Sequence, residues 1–439
     1  MIEFNIFFIL ISFSFEYIII PFSSQLSNIE QNLSPSNFIN AMANNELYTN
    51  INIGTPYQSI KMCINFNSFH TYILQKQKIK KQFNEYNESI SSSFKLLYNK
   101  SKSFQECDFD YAYYASDKIS IGENLNDTYI NFMLVTKKSS TTKSNFAGSI
   151  GFGVVGYDGP IDTGIVYYLK NKTIIDNYFI TIVFNKNNFD GKIIIGENIY
   201  EKYNKDYLQS LNILVDYEYH LFWGWNFLNL SYNNNNLYFK FVYIKPELGV
   251  IMAPMNLKEL LKQNFFDEKI KEKKCYESNS FYNFYYCDED VDMNIGDFNF
   301  MNKNYYFSFL LNSNDLIYNY NGKKFFLIVF NTILSNEIIY LGYPFLKKYD
   351  IILEQDKRIA GFYNFQINFD DKEKEKKKGD SKEEKINPNF DKKNNNTKYI
   401  VLILFLIIMI ILYFVFLQFR NYKRKKKPVS MDFEYSEII

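Results

Sequence analysis

Few side chains in this sequence have the type and spacing that chemistry needs. Only two histidines occur, His70 and His220, and a histidine-based triad or metal site is not expected. The four cysteines, Cys63, Cys107, Cys275 and Cys287, do not have the spacing of a zinc site. Cys275 and Cys287 stand 12 positions apart among aromatic and polar residues, which predicts one short-loop disulfide in an oxidising compartment. Cys63 lies in an apolar run and reads as a buried thiol, with a Cys63–Cys107 bond left open. No cofactor and no metal is implied. Charge nearly cancels, 49 basic against 48 acidic residues for a net of +1, so no basic face for nucleic acid is expected.

The elements that must position any site are mostly strands. The chain has 439 residues, 47% hydrophobic and 19% aromatic, which is material for two lobes or two domains. Short runs rich in Val, Ile, Tyr, Phe and Thr recur between Asn, Gly and Asp: 47–53, 118–122, 178–184, 192–196, 237–244 and 338–341. That spacing predicts an all-β architecture. Two stretches read as helical, Gly164 to Lys170 and Asn256 to Gln263.

Five collinear segments carry a family resemblance. They are ELYTNINIGTPYQSIKMCINFNSFHTYIL (46–74), FAGSIGFG (146–153), YFITIVFNKNNFDGKIIIGE (178–197), FKFVYIKPELGVIMAP (239–254) and IIYLGYPFLKKYDIILEQDKRIAGFY (338–363). In this order the sequence resembles the pepsin-like aspartic proteases. The resemblance implies a two-lobed β-fold around a cleft, with an N-lobe of about 45–177 and a C-lobe of about 178–365.

It also implies a chemistry, and here the sequence departs. Such enzymes activate a water between two carboxylates that share one proton, each on an Asp-Thr/Ser-Gly loop. Asn65-Phe66-Asn67-Ser68 stands at the first loop, so Asn65 replaces the aspartate, and an amide is no general base. Aligning on Pro254 puts Lys245-Pro246-Glu247 at the second loop, with Lys245 180 positions after Asn65. A two-residue shift would instead place Glu247 there, as a lone carboxylate. A literal Asp162-Thr163-Gly164 follows Gly159-Pro160 rather than an apolar strand. It reads as the cap of the helix starting near Gly164. The hairpin expected over the cleft looks shortened in 104–122, with no Gly before Gly122, and Tyr111, Tyr113 and Tyr114 are its aromatic candidates. In the closing segment Gly342 is kept while Tyr343 replaces the usual Asp.

The ends predict a membrane protein. Residues 4–22 form an apolar run closed by Ser23 and Ser24, which reads as a signal peptide over 1–24 or an uncleaved anchor. The ectodomain is expected over 25–369, followed by a charged spacer at 370–397. Tyr399 to Gln418 is an uncharged run of about twenty residues, enough for a transmembrane helix over 399–419. Arg420 and the Lys423–Lys427 cluster then place the tail, 420–439, in the cytosol and the body in a lumen or outside the cell. Sequons at Asn32, Asn87, Asn99, Asn126, Asn171, Asn229 and Asn395 become glycosylation candidates, and Tyr435 to Ile438 has the form of a sorting signal. The expected function is a pseudoprotease of the secretory pathway or cell surface. Its cleft or lobes would bind a peptide or protein partner. The alternatives are an active endopeptidase using Glu247 and a structural or adhesive surface glycoprotein.

Overall fold

A computed structural model of the chain describes residues 17–28, 32–76, 85–104, 109–138, 146–154, 161–197, 210–212, 214–215, 221–302 and 307–363. The spacer, the apolar run at 399–418, the tail with Tyr435 and Ile438, Cys107 and His220 lie outside them. Among the described residues no helix is long and apolar enough to cross a membrane.

The N-terminal half is a barrel. Strand β1 is Ile18–Ser24, β2 Leu47–Ile53, β3 Gln58–Asn65, β4 Tyr72–Leu74, β5 Lys95–Phe104, β6 Phe109–Ile121, β7 Leu125–Lys138 and β8 Gly148–Gly151. The order β2-β3-β8-β4-β7-β6 closes on itself because β2 also pairs with β6. The pattern is local: Leu47, Thr49, Ile51 and Ile53 of β2 and Ile60, Met62 and Ile64 of β3 point inward at period two. Gly54, at φ +88, makes the sharp turn between them, a backbone state that side chains disfavour. β5 lies outside the closed ring on β6.

A second set of strands joins the halves. β9 (Phe179–Phe184) and β10 (Gly191–Ile195) pair with each other. They take their place in the order Ser210–Asn212, Ile359–Tyr363, Asp350–Glu354, β9, β10, β1. β1 is paired on both sides, through Ile18–Phe22 with β10 and through Ser23–Ser24 with β2. The segment 1–24, read as a signal, therefore overlaps the fold: Ile18 and Ile20 are fully buried and Phe22 packs edge-on against Phe184 at 5.2 Å. The C-terminal half is an 11-stranded sheet, and Cys275 and Cys287 face each other across its hairpin as a disulfide.

Helices are few. α1 (Pro35–Ala43) starts at the cap Ser34, whose hydroxyl accepts from Asn37 N–H at 3.3 Å, with Pro35 in the first turn. It buries Phe38, Ile39 and Met42 and stacks Phe38 on Tyr320 at 4.2 Å. α2 (Ile165–Asn171) and α3 (Met255–Leu261) fall at the two expected stretches.

Burial also sets a pH limit. Desolvation pushes the phenols of Tyr114 and Tyr232 up to about 12 and those of Tyr86, Tyr285 and Tyr343 higher still. A raised folded-state value favours the neutral phenol in the fold. That stability is complete below pH 10, the ordinary tyrosine value, and is lost as pH climbs toward the folded values. Melting temperature is expected to fall steeply above pH 10, with tyrosinate absorbance from these rings appearing only on unfolding. Ionisation of these five rings near pH 10 while the protein stays folded would contradict it.

Candidate functional site

Two loops built alike face each other between the halves. At the end of β3, the Asn65 carbonyl accepts Phe152 N–H and the Ser68 carbonyl accepts Gly153 N–H, both at 2.8 Å. In the other half the strand Asn235–Ile244 runs parallel to Ile338–Leu341, and Lys245 N–H donates to the Leu341 carbonyl at 2.9 Å. The Leu248 carbonyl then accepts Tyr343 N–H at 2.8 Å. Backbone bonds thus tie each loop to the end of its parallel neighbour strand, Gly148–Gly151 in one half and Ile338–Leu341 in the other. Gly342 permits this approach: a Cβ there would stand 2.3 Å from the Val250 carbonyl oxygen.

The loops touch through side chains. Asn67 Nδ2 donates to Glu247 Oε1 at 2.9 Å, joining residues 180 positions apart. Lys245 Nζ donates to Asn67 Oδ1 and lies 4.9 Å from the Phe222 ring centre. Burial pulls the Lys245 amine below its ordinary value, and the Glu247 charge opposes that pull. Asn65 Oδ1 is turned onto its own loop, accepting Asn67 N–H at 2.8 Å and Ser68 N–H at 3.2 Å. The network therefore runs from amine to amide to a single carboxylate. Glu247 Oε2 is buried with no hydrogen-bond partner among the described residues.

Apolar packing holds both loops. Phe66 is buried against Phe152 at 5.8 Å, and Pro246 is buried with no N–H to donate. The N-terminal segment braces the second loop instead. Asn45 Nδ2 donates to the Glu247 carbonyl at 2.9 Å and Gly249 N–H to the Met42 carbonyl at 2.8 Å. Further bonds join the halves: Trp223 Nε1 donates to the Phe152 carbonyl and Gln355 Nε2 to the Gly153 carbonyl, each at 2.8 Å. Tyr343 is buried between Phe184 and Phe189.

Two expectations need correction. Neither Asp162 nor Thr163 caps α2. Its N-cap is Gly164, without a side-chain bond, because Asp162 Oδ2 is held by Asn131 Nδ2 at 2.8 Å and Thr163 Oγ1 by His70 Nδ1 at 2.6 Å. The hairpin before Gly122 is not short: β5 has 10 residues and β6 has 13, and strands without Gly simply hide their length. Tyr111, Tyr113 and Tyr114 sit along β6. Tyr111 is exposed, Tyr113 is paired with Leu134, and Tyr114 packs on Ala112, Met133 and Val135. At the base of this ribbon lies a centre the sequence did not signal. Asp117, fully buried, accepts from Tyr86 OH at 2.5 Å, Ser93 Oγ at 2.5 Å, Ser91 Oγ at 2.7 Å and Lys118 N–H at 2.8 Å.

Among the described residues no three His, Cys, Asp or Glu side chains gather as a metal site. A polar cavity of 660 Å³ lies in the C-terminal half, lined by Asp292, Asp297, Asn312, Asn319 and Lys324 among others. It includes none of the interlobe loop residues.

A β-barrel half and a second β-sheet half, joined by shared strands and presenting matched loops to each other, define the pepsin-like class of two-lobed folds. The family model described as eukaryotic aspartyl protease matches residues 46–364, and the chain belongs to that family. No curated protein matches it.

Proposed function

We propose that this chain is a non-hydrolysing member of the aspartyl protease family, anchored by the run at 399–418, whose paired lobes serve as a scaffold on the lumenal or outer side of a membrane. One observation carries the reading: the two matched loop positions hold Asn65 and Lys245, and the one carboxylate between the loops, Glu247, is bound by an amide. Two carboxylates sharing a proton are what this hydrolysis requires, and an amide and an amine supply neither the base nor the acid of that pair. The Lys245–Asn67–Glu247 bridge fills the point where the loops meet. That favours a scaffold or adhesive role over threading a peptide through the same point. The Cys275–Cys287 disulfide and the basic flank after 418 support the lumenal placement of the body.

A second reading, hydrolysis through Glu247, is favoured by its buried, unpartnered Oε2. One assay separates the two. The full chain in detergent is incubated with a peptide library from pH 3 to 7, with and without an aspartic-protease inhibitor, beside a Glu247→Gln variant. No cleavage by folded protein is the expected result. Inhibitor-sensitive cleavage that disappears in the variant would make this an enzyme.

A further inference from the structure

We infer that Asn229 carries an N-linked glycan whose first sugar rests on the exposed ring pair Phe227–Tyr238, a modification seat built into the strand Gly224–Tyr232. The inference depends on the lumenal body proposed above.

The seat follows from strand geometry. Phe227, Asn229 and Ser231 alternate with buried Leu228, Leu230 and Tyr232, so they share the outer face. Tyr238 stands directly opposite Asn229 in the register, on that same face. Met301 faces Asn229 from the other side. Phe227 and Tyr238 are 41% and 50% exposed and stack on each other at 6.1 Å and 25°. Two large rings side by side in water need a reason. Phe227 adds one, because it holds a left-handed backbone at φ +65 that a bulky residue disfavours. Its ring meets that of Tyr238, which lies opposite Asn229. The apolar face of an N-acetylhexosamine, rich in C–H groups, suits such a platform.

The acceptor is also free to react. Among the described residues no hydrogen bond engages the Asn229 carboxamide or the Ser231 hydroxyl, the two groups the Asn-x-Ser signal uses. Three other sequons, at Asn87, Asn126 and Asn171, differ. Ser89 Oγ donates to Asn87 Oδ1, Thr128 Oγ1 to the Asn126 carbonyl, and Thr173 Oγ1 to the Lys172 carbonyl. Transfer joins Asn229 Nδ2 to the sugar C1. The C1–oxygen bond to a polyprenyl pyrophosphate donor breaks, the pyrophosphate leaves with the bonding electrons, and Nδ2 gives up one proton.

The test uses the full-length chain made in a eukaryotic host. Glycans are released enzymatically in heavy-oxygen water, and each occupied site is read by mass spectrometry as a labelled aspartate. Melting temperature is then compared before and after release, for the native chain and for a Phe227→Ala/Tyr238→Ala variant. The expected result is occupancy at Asn229, a fall of melting temperature on release, and no such fall in the variant. Occupancy at any other sequon with Asn229 bare overturns the seat while keeping the lumenal body. Occupancy at Asn229 with an equal fall in both proteins, or none in either, overturns the ring contact. A chain with no occupied sequon overturns the lumenal placement and the seat with it.

Discussion

A chain that begins at residue 25 is expected not to fold, whereas one that begins at Tyr17 is expected to fold fully. The difference is β1. Its loss strips Ile18, Ile20 and Phe22 from the core and removes the partner of β10 along five residues, Ile18–Phe22. Burying three such side chains is worth roughly 6 kcal/mol, at about 2 kcal/mol each. Whole domains are stable by only about 5–15 kcal/mol. The loss also exposes Ile193 and Ile195 on an unpaired edge, a setting for aggregation. Size-exclusion chromatography and near-ultraviolet circular dichroism of the two chains decide the matter. The same logic applies in the cell, where Edman sequencing of processed protein should find its first residue at or before Ile18. A stable, monomeric chain from residue 25, or a natural N-terminus at 25, would refute the assignment of this strand.

That strand marks a limit of sequence reading. Residues 4–22 are a largely apolar run, and such a run can hold a signal segment or a buried strand. Only the pairing partners tell them apart, and they lie at 47–48 and 191–195, far along the chain. Where alternation or turn residues were present, the elements were legible. The runs at 47–53 and 338–341 are strands with those same bounds, and the Gly54–Pro56 turn located Asn65 at the loop. α1 had a start signal in Ser34-Pro35 that the reading passed over.

The site was legible by type and not by contact. Sequence order suffices to put Asn65 and Lys245 at the ends of two related strands. It does not reveal that Asn67 and Glu247 reach each other across the lobes. The Asn67 and Glu247 side chains thus tie the two lobes together. The packing of Phe66 on Phe152 and the Asn45 bond to the Glu247 carbonyl hold that tie in one geometry. An Asn65→Asp change would leave both the packing and the Lys245–Asn67–Glu247 bridge in place.

Replacing Asp117 with alanine is expected to cost about 3 kcal/mol, because hydrogen bonds to a charged group are worth about 1.5–3 kcal/mol each and hydroxyls left unpaired are penalised. Tyr86, Ser91 and Ser93 each lose their acceptor, and Tyr86 is fully buried, with no water to replace it. Part of the loss is returned, since a buried carboxylate is itself expensive to desolvate. Asp117→Asn keeps the volume and one acceptor oxygen and should lose roughly half as much on the same grounds. The strain is local at first: Ser91 also accepts Thr55 N–H at 3.0 Å, and Ser93 meets Thr55 Oγ1 at 2.8 Å. The turn at Gly54 that leads into β3 and Asn65 therefore hangs on the same centre. Thermal melts should show Asp117→Ala lowest, Asp117→Asn intermediate and the native chain highest. Equal melting of all three would mean that the hydroxyls find other partners and that the Asn65 loop is supported from elsewhere.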